Sequence, residues 1–141
     1  MKALALAGSL LILAAGCARD DGEAELPFAC QNVSARGLAL ALSAAPAAVG
    51  FEDVRLSDCF PAGASVGDVQ LMGALAVDAA QMLRRDGDAA ALGYLVGVVR
   101  SASVSGQGTY GELLRRLEQE ASPLTDLPAF ARGARAGRTS G

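Results

Sequence analysis

Residues 65–123 read SVGDVQLMGALAVDAAQMLRRDGDAAALGYLVGVVRSASVSGQGTYGELLRRLEQEASP, and the punctuation of this stretch decides the fold class. Ser65 with Asp68 forms a helix start of the capping-box type. Leu71, Leu75 and Met82, with Met72, Ala76 and Leu83, then build a broad apolar face at helical spacing. Arg84 and Arg85 suit the negative end of a helix, and Gly87 stops it, so the pattern predicts a helix over 66–85. Asp88 can cap the next helix, in which Leu92, Leu95, Val96 and Val99 recur at helical spacing before the Ser/Gly-rich stretch from Ser101 to Gly108. The two helices predict a tight αα-hairpin. Thr109 and Glu112 form a T-x-x-E box, and Tyr110, Leu113, Leu114, Leu117 and Ala121 line one face of a helix that Pro123 ends. On its wet side Glu112 is spaced to pair with Arg116, and Arg116 with Glu120.

Upstream, Ser34 to Ala44 is Ala/Leu-rich and bounded by Pro46. It reads as a helix, although Leu38, Leu40 and Leu42 also alternate as a strand would. Residues 51–60 show Val54 and Leu56 in strand-like alternation without an evident partner and are expected to be a connecting loop. Alanine supplies much of the 52% hydrophobic content, and tryptophan is absent. That balance favours closely packed helices over a pleated sheet. The expected fold is therefore all-α, a small bundle of four to five short helices.

Cysteine usage adds one restraint. Cys30 and Cys59 are far apart and lack C-x-x-C geometry, which argues against a redox or metal pair and for a disulfide closing the bundle and tying the connecting loop to the first helix. The third cysteine ends a different kind of segment. Met1-Lys2 gives a positive start, Ala3 to Ala15 is uncharged and rich in Leu and Ala, and Ala14-Ala15-Gly16-Cys17 closes the run with small residues. The run is too short to span roughly 30 Å of hydrocarbon and reads as a cleaved secretion signal. Leu13-Ala14-Ala15-Gly16-Cys17 resembles the lipobox of bacterial prolipoproteins, with Ala14 where that family most often has Leu. The resemblance implies cleavage before Cys17 and a diacylglyceryl group on its thiol. An ordinary signal peptide cut after Ala18 is the competing reading.

The resulting organisation is a signal peptide over 1–16, a lipid anchor and flexible acidic tether over 17–27, a helical domain over 28–124 and a partly disordered tail over 125–141. The tail carries Arg132, Arg135 and Arg138 and ends polar and glycine-rich. A short helix begun at Asp126, Leu127 and Pro128 would carry Phe130 back to the core.

Absences bound the chemistry. The chain has no histidine, and its single lysine, Lys2, lies in the signal, so the mature part holds neither. It cannot assemble a Ser-His-Asp, Cys-His or Ser-Lys device, a Schiff base or a His-ligated zinc site. A glycosidase-like pair of acids is formally available among Glu52, Asp53, Asp58, Asp68, Asp78, Asp86 and Asp88. Most of these fall where helix caps and solvated faces would put them, and Asp78 is expected on the wet side of its helix. Asp86 and Asp88 lack the further ligands of a calcium loop. No catalytic residue, metal site or cofactor is assigned, and no nucleic-acid footprint is visible. Ala89, Gly93 and Gly97, four apart, form a face on which another helix can approach closely, expected to pack on the preceding helix, with a dimer contact as the alternative. These features point to a membrane-anchored binding, structural or envelope-assembly component, held by membrane lipid through Cys17 and open to an envelope protein partner. An extracytoplasmic carrier of a small ligand and a carboxylate-dependent glycan hydrolase are the rival classes.

Overall fold

A computed structural model describes residues 24–105 and 108–141 of the chain. The signal segment and Cys17 lie outside the described residues. The fold is mostly helical and carries one disulfide. In order along the chain it comprises α1 (Phe28–Asn32), α2 (Ala35–Leu42), β1 (Gly50–Phe51), β2 (Val54–Arg55), α3 (Val66–Asp86), α4 (Ala89–Ser105), α5 (Gly108–Ala121) and α6 (Pro128–Ser140). Short 3-10 turns cover Leu56–Cys59 and Ser122–Leu124.

Local chemistry explains most boundaries. The Ser34 hydroxyl accepts from the Gly37 amide at 3.0 Å and starts α2. In a strand Leu38, Leu40 and Leu42 would share one side; in α2, Leu38 and Leu42 are buried and Leu40 is 68% exposed. Ser65 caps α3 by accepting from the Asp68 amide at 3.0 Å. Gly87, at φ 71°, ends α3 in the left-handed region, where the Gly87 and Asp88 amides donate to the carbonyls of Arg84 and Leu83. Asp88 then accepts from the Ala91 amide at 3.1 Å and starts α4, which completes the expected αα-hairpin.

Three expectations are corrected here. The connecting loop is a small antiparallel hairpin in which Gly50 pairs with Arg55 and Phe51 with Val54, so the fold is not strictly all-α. The partner of the Val54 alternation sits just ahead of it, across a turn that holds Glu52 at φ 51°, a conformation a glutamate seldom signals. The described helices number six instead of four or five, because α1 and α6 are both formed. And the tail expected to be partly disordered is mostly α6, begun by Pro128 in its first turn, with Gly133, Ala134 and Gly137 buried.

The glycines that suggested disorder are the reason α6 docks. Every residue from Ala91 to Val99 is buried, so α4 needs cover on all sides. Gly93 and Gly97 face α6, not the preceding helix, and a methyl group added at either would overlap a carbonyl oxygen, that of Phe130 or of Ala134. Reciprocally, Gly133 and Gly137 admit the carbonyls of Ala90 and Tyr94. Ala89 is buried at the start of the same helix. The small-residue face predicted from the sequence is thus occupied within the chain, by a helix running parallel to α4 with backbone against backbone.

α2, α3, α5 and the turn Leu56–Cys59 cover the remainder of α4. Tyr94 is fully buried in α4, and its hydroxyl accepts from the Val49 amide at 3.1 Å, tying the approach to the hairpin into the core. Cys30 and Cys59 are joined, with Cα atoms 5.5 Å apart, which pins α1 to the turn ahead of α3.

Three changes in stability are expected. Gly133→Val should lower the free energy of unfolding in urea by roughly 2 to 3 kcal/mol or more, since α6 must move off α4. By contrast Gly111→Ala, in a helix and facing open space, should raise it by up to about 1 kcal/mol. Replacing Cys30 and Cys59 together by Ala should cost roughly 3 to 4 kcal/mol, read by the same urea titration against the oxidised parent.

Candidate functional site

The last turn of α3 and the outer face of α2 meet in a groove of about 620 Å³. Arg36, Ala39, Leu40 and Ser43 recur along α2 at helical spacing and form one wall. Met82, Leu83, Arg85 and Asp86 form the other, and Asp88 closes the end. The floor is apolar. The rim carries charge of both signs and one hydroxyl, but not all of these groups are available: the Asp88 carboxylate caps α4, and the Ser43 hydroxyl donates to the Leu40 carbonyl at 2.6 Å. Arg36, Arg85 and Asp86 are exposed and make no ion pair with another described residue. An open apolar trough with guanidinium groups at its edge can hold an elongated, partly apolar group and orient a carboxylate. It presents no activated nucleophile.

A second groove, of about 440 Å³, lies between α3 and α5 and includes Gly73, Val77, Asp78, Thr109, Leu113 and Arg116. Asp78 is exposed on this wet side of α3, as its place in the helical pattern requires. The other acids named from the sequence are dispersed. Asp58 accepts from the Arg55 amide, Asp68 bonds the Ser65 hydroxyl and Asp88 caps α4, while Glu52 and Asp53 form the exposed hairpin turn. Among the described residues, no group of three or more Cys, Asp or Glu side chains is placed to hold a metal ion. No described helix is long and apolar enough to cross a membrane.

Electrostatic organisation centres on α5. Glu112 binds Arg115 through two bonds of 2.9 Å and Arg116 through a third. These hydrogen bonds hold its carboxyl down to about 2, Arg115 contributing most. Glu112 therefore faces two guanidinium groups and not the Thr109 backbone, and the helix already begins at Gly108, so the expected capping box does not form. Two charged donors outcompete one amide. The expected Glu112–Arg116 pair is present, but Glu120 turns away from Arg116 to Arg84 of α3 at 3.3 Å and accepts from Gln81. Arg100 of α4 pairs with Glu118 at 2.6 Å. The interhelical bridges carried no local signal, since their partners lie 18 residues or more apart.

Of the residues singled out in the sequence, Cys30 and Cys59 come together, and Gly93 and Gly97 share one contact with α6. Cys17 lies outside the described residues. The arginines of α6 gain meaning only from the helix, which sets Arg132, Arg135 and Arg138 on its exposed side. No protein family, curated protein or solved structure matches the chain.

Tyr110 offers a direct readout of the packing where α5 meets the loop ahead of α3. Its hydroxyl donates to the Pro61 carbonyl at 2.8 Å, its ring packs edge-on against Phe60, and burial, with the Asp68 carboxylate second, pushes its ionisation up to about 12. Because the unfolded chain ionises near 10, this tyrosine contributes stability that is complete below that pH and is lost between about 10 and 12. An ultraviolet absorbance titration should show a tyrosine step near 12 that Tyr110→Phe removes.

Proposed function

We propose that the chain is an extracytoplasmic bacterial lipoprotein, a small helical bundle packed around α4, tethered through Cys17 and serving as a binding or assembly component of the cell envelope. The observation that carries the reading is the division of the cysteines. Three are present, and the disulfide consumes Cys30 and Cys59. Cys17 is left at the end of an apolar run, where the resemblance to a lipobox assigns it a lipid. A disulfide in a domain of this size supports an oxidising compartment, the same side of the membrane that the signal implies. The tether expected over 17–27 is shorter at its domain end: the Ala24 amide donates to the Gly63 carbonyl at 2.9 Å, Leu26 is in the core and Pro27 precedes α1, so residues 24–27 belong to the domain.

A non-enzymatic role is favoured because Asp58, Asp68, Asp88, Glu112, Glu118 and Glu120 serve as caps and ion-pair partners, the other carboxylates named from the sequence are dispersed, and the chain supplies no histidine to work with them. The α2–α3 groove supports ligand carriage as the second reading.

The intact mass of protein extracted from the host membrane fraction tests both parts. A chain beginning at Cys17 with a diacylglyceryl group, gaining two hydrogens on reduction, is the expected result. A lipid-free chain beginning at Arg19 would replace tethering with secretion and give precedence to carriage.

A further inference from the structure

We propose that the arginine face of α6 lies against the anionic phospholipid headgroups of the membrane that holds the chain. This inference rests on the lipid-anchored reading and adds an orientation to it. Arg132, Arg135 and Arg138 recur three residues apart and are exposed, while Gly133, Ala134 and Gly137 on the other side of the helix are buried against α4. The ion pairs of the described residues engage Arg55, Arg84, Arg100, Arg115 and Arg116 and none of these three. Backbone contact with α4 fixes α6 in place, so the three guanidinium groups form a preset array and not a loose tail. Guanidinium groups are weakly hydrated and bind phosphate oxygens in a planar, two-point geometry.

Net charge works in the same direction. From Cys17 onward the chain holds 11 arginines against 15 carboxylates, a formal net charge of −4, and α6 contributes three of those arginines without a carboxylate, so everything else stands at −7. An anionic surface attracts this one side and repels the remainder, which orients the domain. Reach is adequate. Seven residues of chain, Cys17 to residue 23, precede Ala24, where the domain begins, and at no more than about 3.6 Å each they reach up to roughly 25 Å, against about 20 Å for the length of α6, so the domain can roll until that helix lies along the surface. At an anionic leaflet the three arginines together favour this orientation by up to roughly a hundredfold, and the advantage falls with added salt.

The test uses the full chain, purified with its anchor and placed in phosphatidylglycerol-rich vesicles that carry a nitroxide quencher on the headgroup. Tryptophan is absent from the chain, so Ala131→Trp gives a single reporter among the arginines and Gln70→Trp a control on α3; both positions are exposed. The expected result is several-fold stronger quenching at 131 than at 70. That difference should vanish in phosphatidylcholine vesicles, at high salt, and when Arg132, Arg135 and Arg138 are all changed to Gln, surface substitutions that leave the core intact. Equal quenching at the two sites on a chain that floats with the vesicles overturns the orientation alone, as does a difference that survives the triple substitution. An α6 that stays unquenched and crosslinks to an acidic protein assigns the face to that protein instead. A chain that fails to float overturns the anchored reading and the orientation with it.

Discussion

A helical stretch with no wet side must be covered from every direction, and α4 imposes that condition over Ala91 to Val99. Its buried run from Ala91 to Val99 is longer than the two helical neighbours of a hairpin can enclose. The remaining exposure is closed by α6 at backbone distance, which only the glycines at 93, 97, 133 and 137 permit. Side-chain volume is thus given up where the two helices meet and recovered around Tyr94, the largest fully buried residue, whose hydroxyl is satisfied by the Val49 amide. A larger residue at any of the four glycines would separate the backbones instead of filling a gap.

Polar chemistry is arranged around that core, not inside it. Several acids start helices or bridge them: Asp88 caps α4, Glu120 joins α5 to α3 through Arg84, and Glu118 joins α5 to α4 through Arg100. Such exposed and half-exposed pairs contribute little each, but they fix the register in which the helices face one another. What is left for recognition is a trough edged by Arg36 and Arg85 and a basic outer face on α6. Both present exposed guanidinium groups that make no ion pair with another described residue.

The sequence was most legible where local rules act. Ser65, Gly87 and Asp88 each have one strong reason to sit where they do, and the α3–α4 hairpin follows from them. The pairing of Cys30 with Cys59 was readable by elimination. Of α6 only the start was legible, in Pro128 and in Phe130 returning to the core; its run to Ser140 was not, because the composition that permits close helix contact, glycine with alanine among arginines, is also the composition of a solvated tail. The signal was present in the matched four-residue spacing of Gly93 with Gly97 and Gly133 with Gly137, but only a tertiary contact makes the two spacings one feature. The hairpin escaped for a related reason: its turn uses Glu52 in a conformation that glycine or asparagine would have announced. The grooves were invisible, since each joins walls from helices that are not read together.

The position of the disulfide has a mechanical side. Tension applied to the chain ahead of Ala24 first meets the hydrogen bond to Gly63 and the buried Leu26, contacts that yield and re-form. Beyond them the load reaches Cys30 and crosses a covalent bond to Cys59, leaving the path through α2 and the hairpin slack. Peeling from this end therefore stops after a few residues, and the force is passed to the turn that precedes α3, deep against the core. A pull on this end is thus resisted by the crosslink before it can unravel the helices that follow.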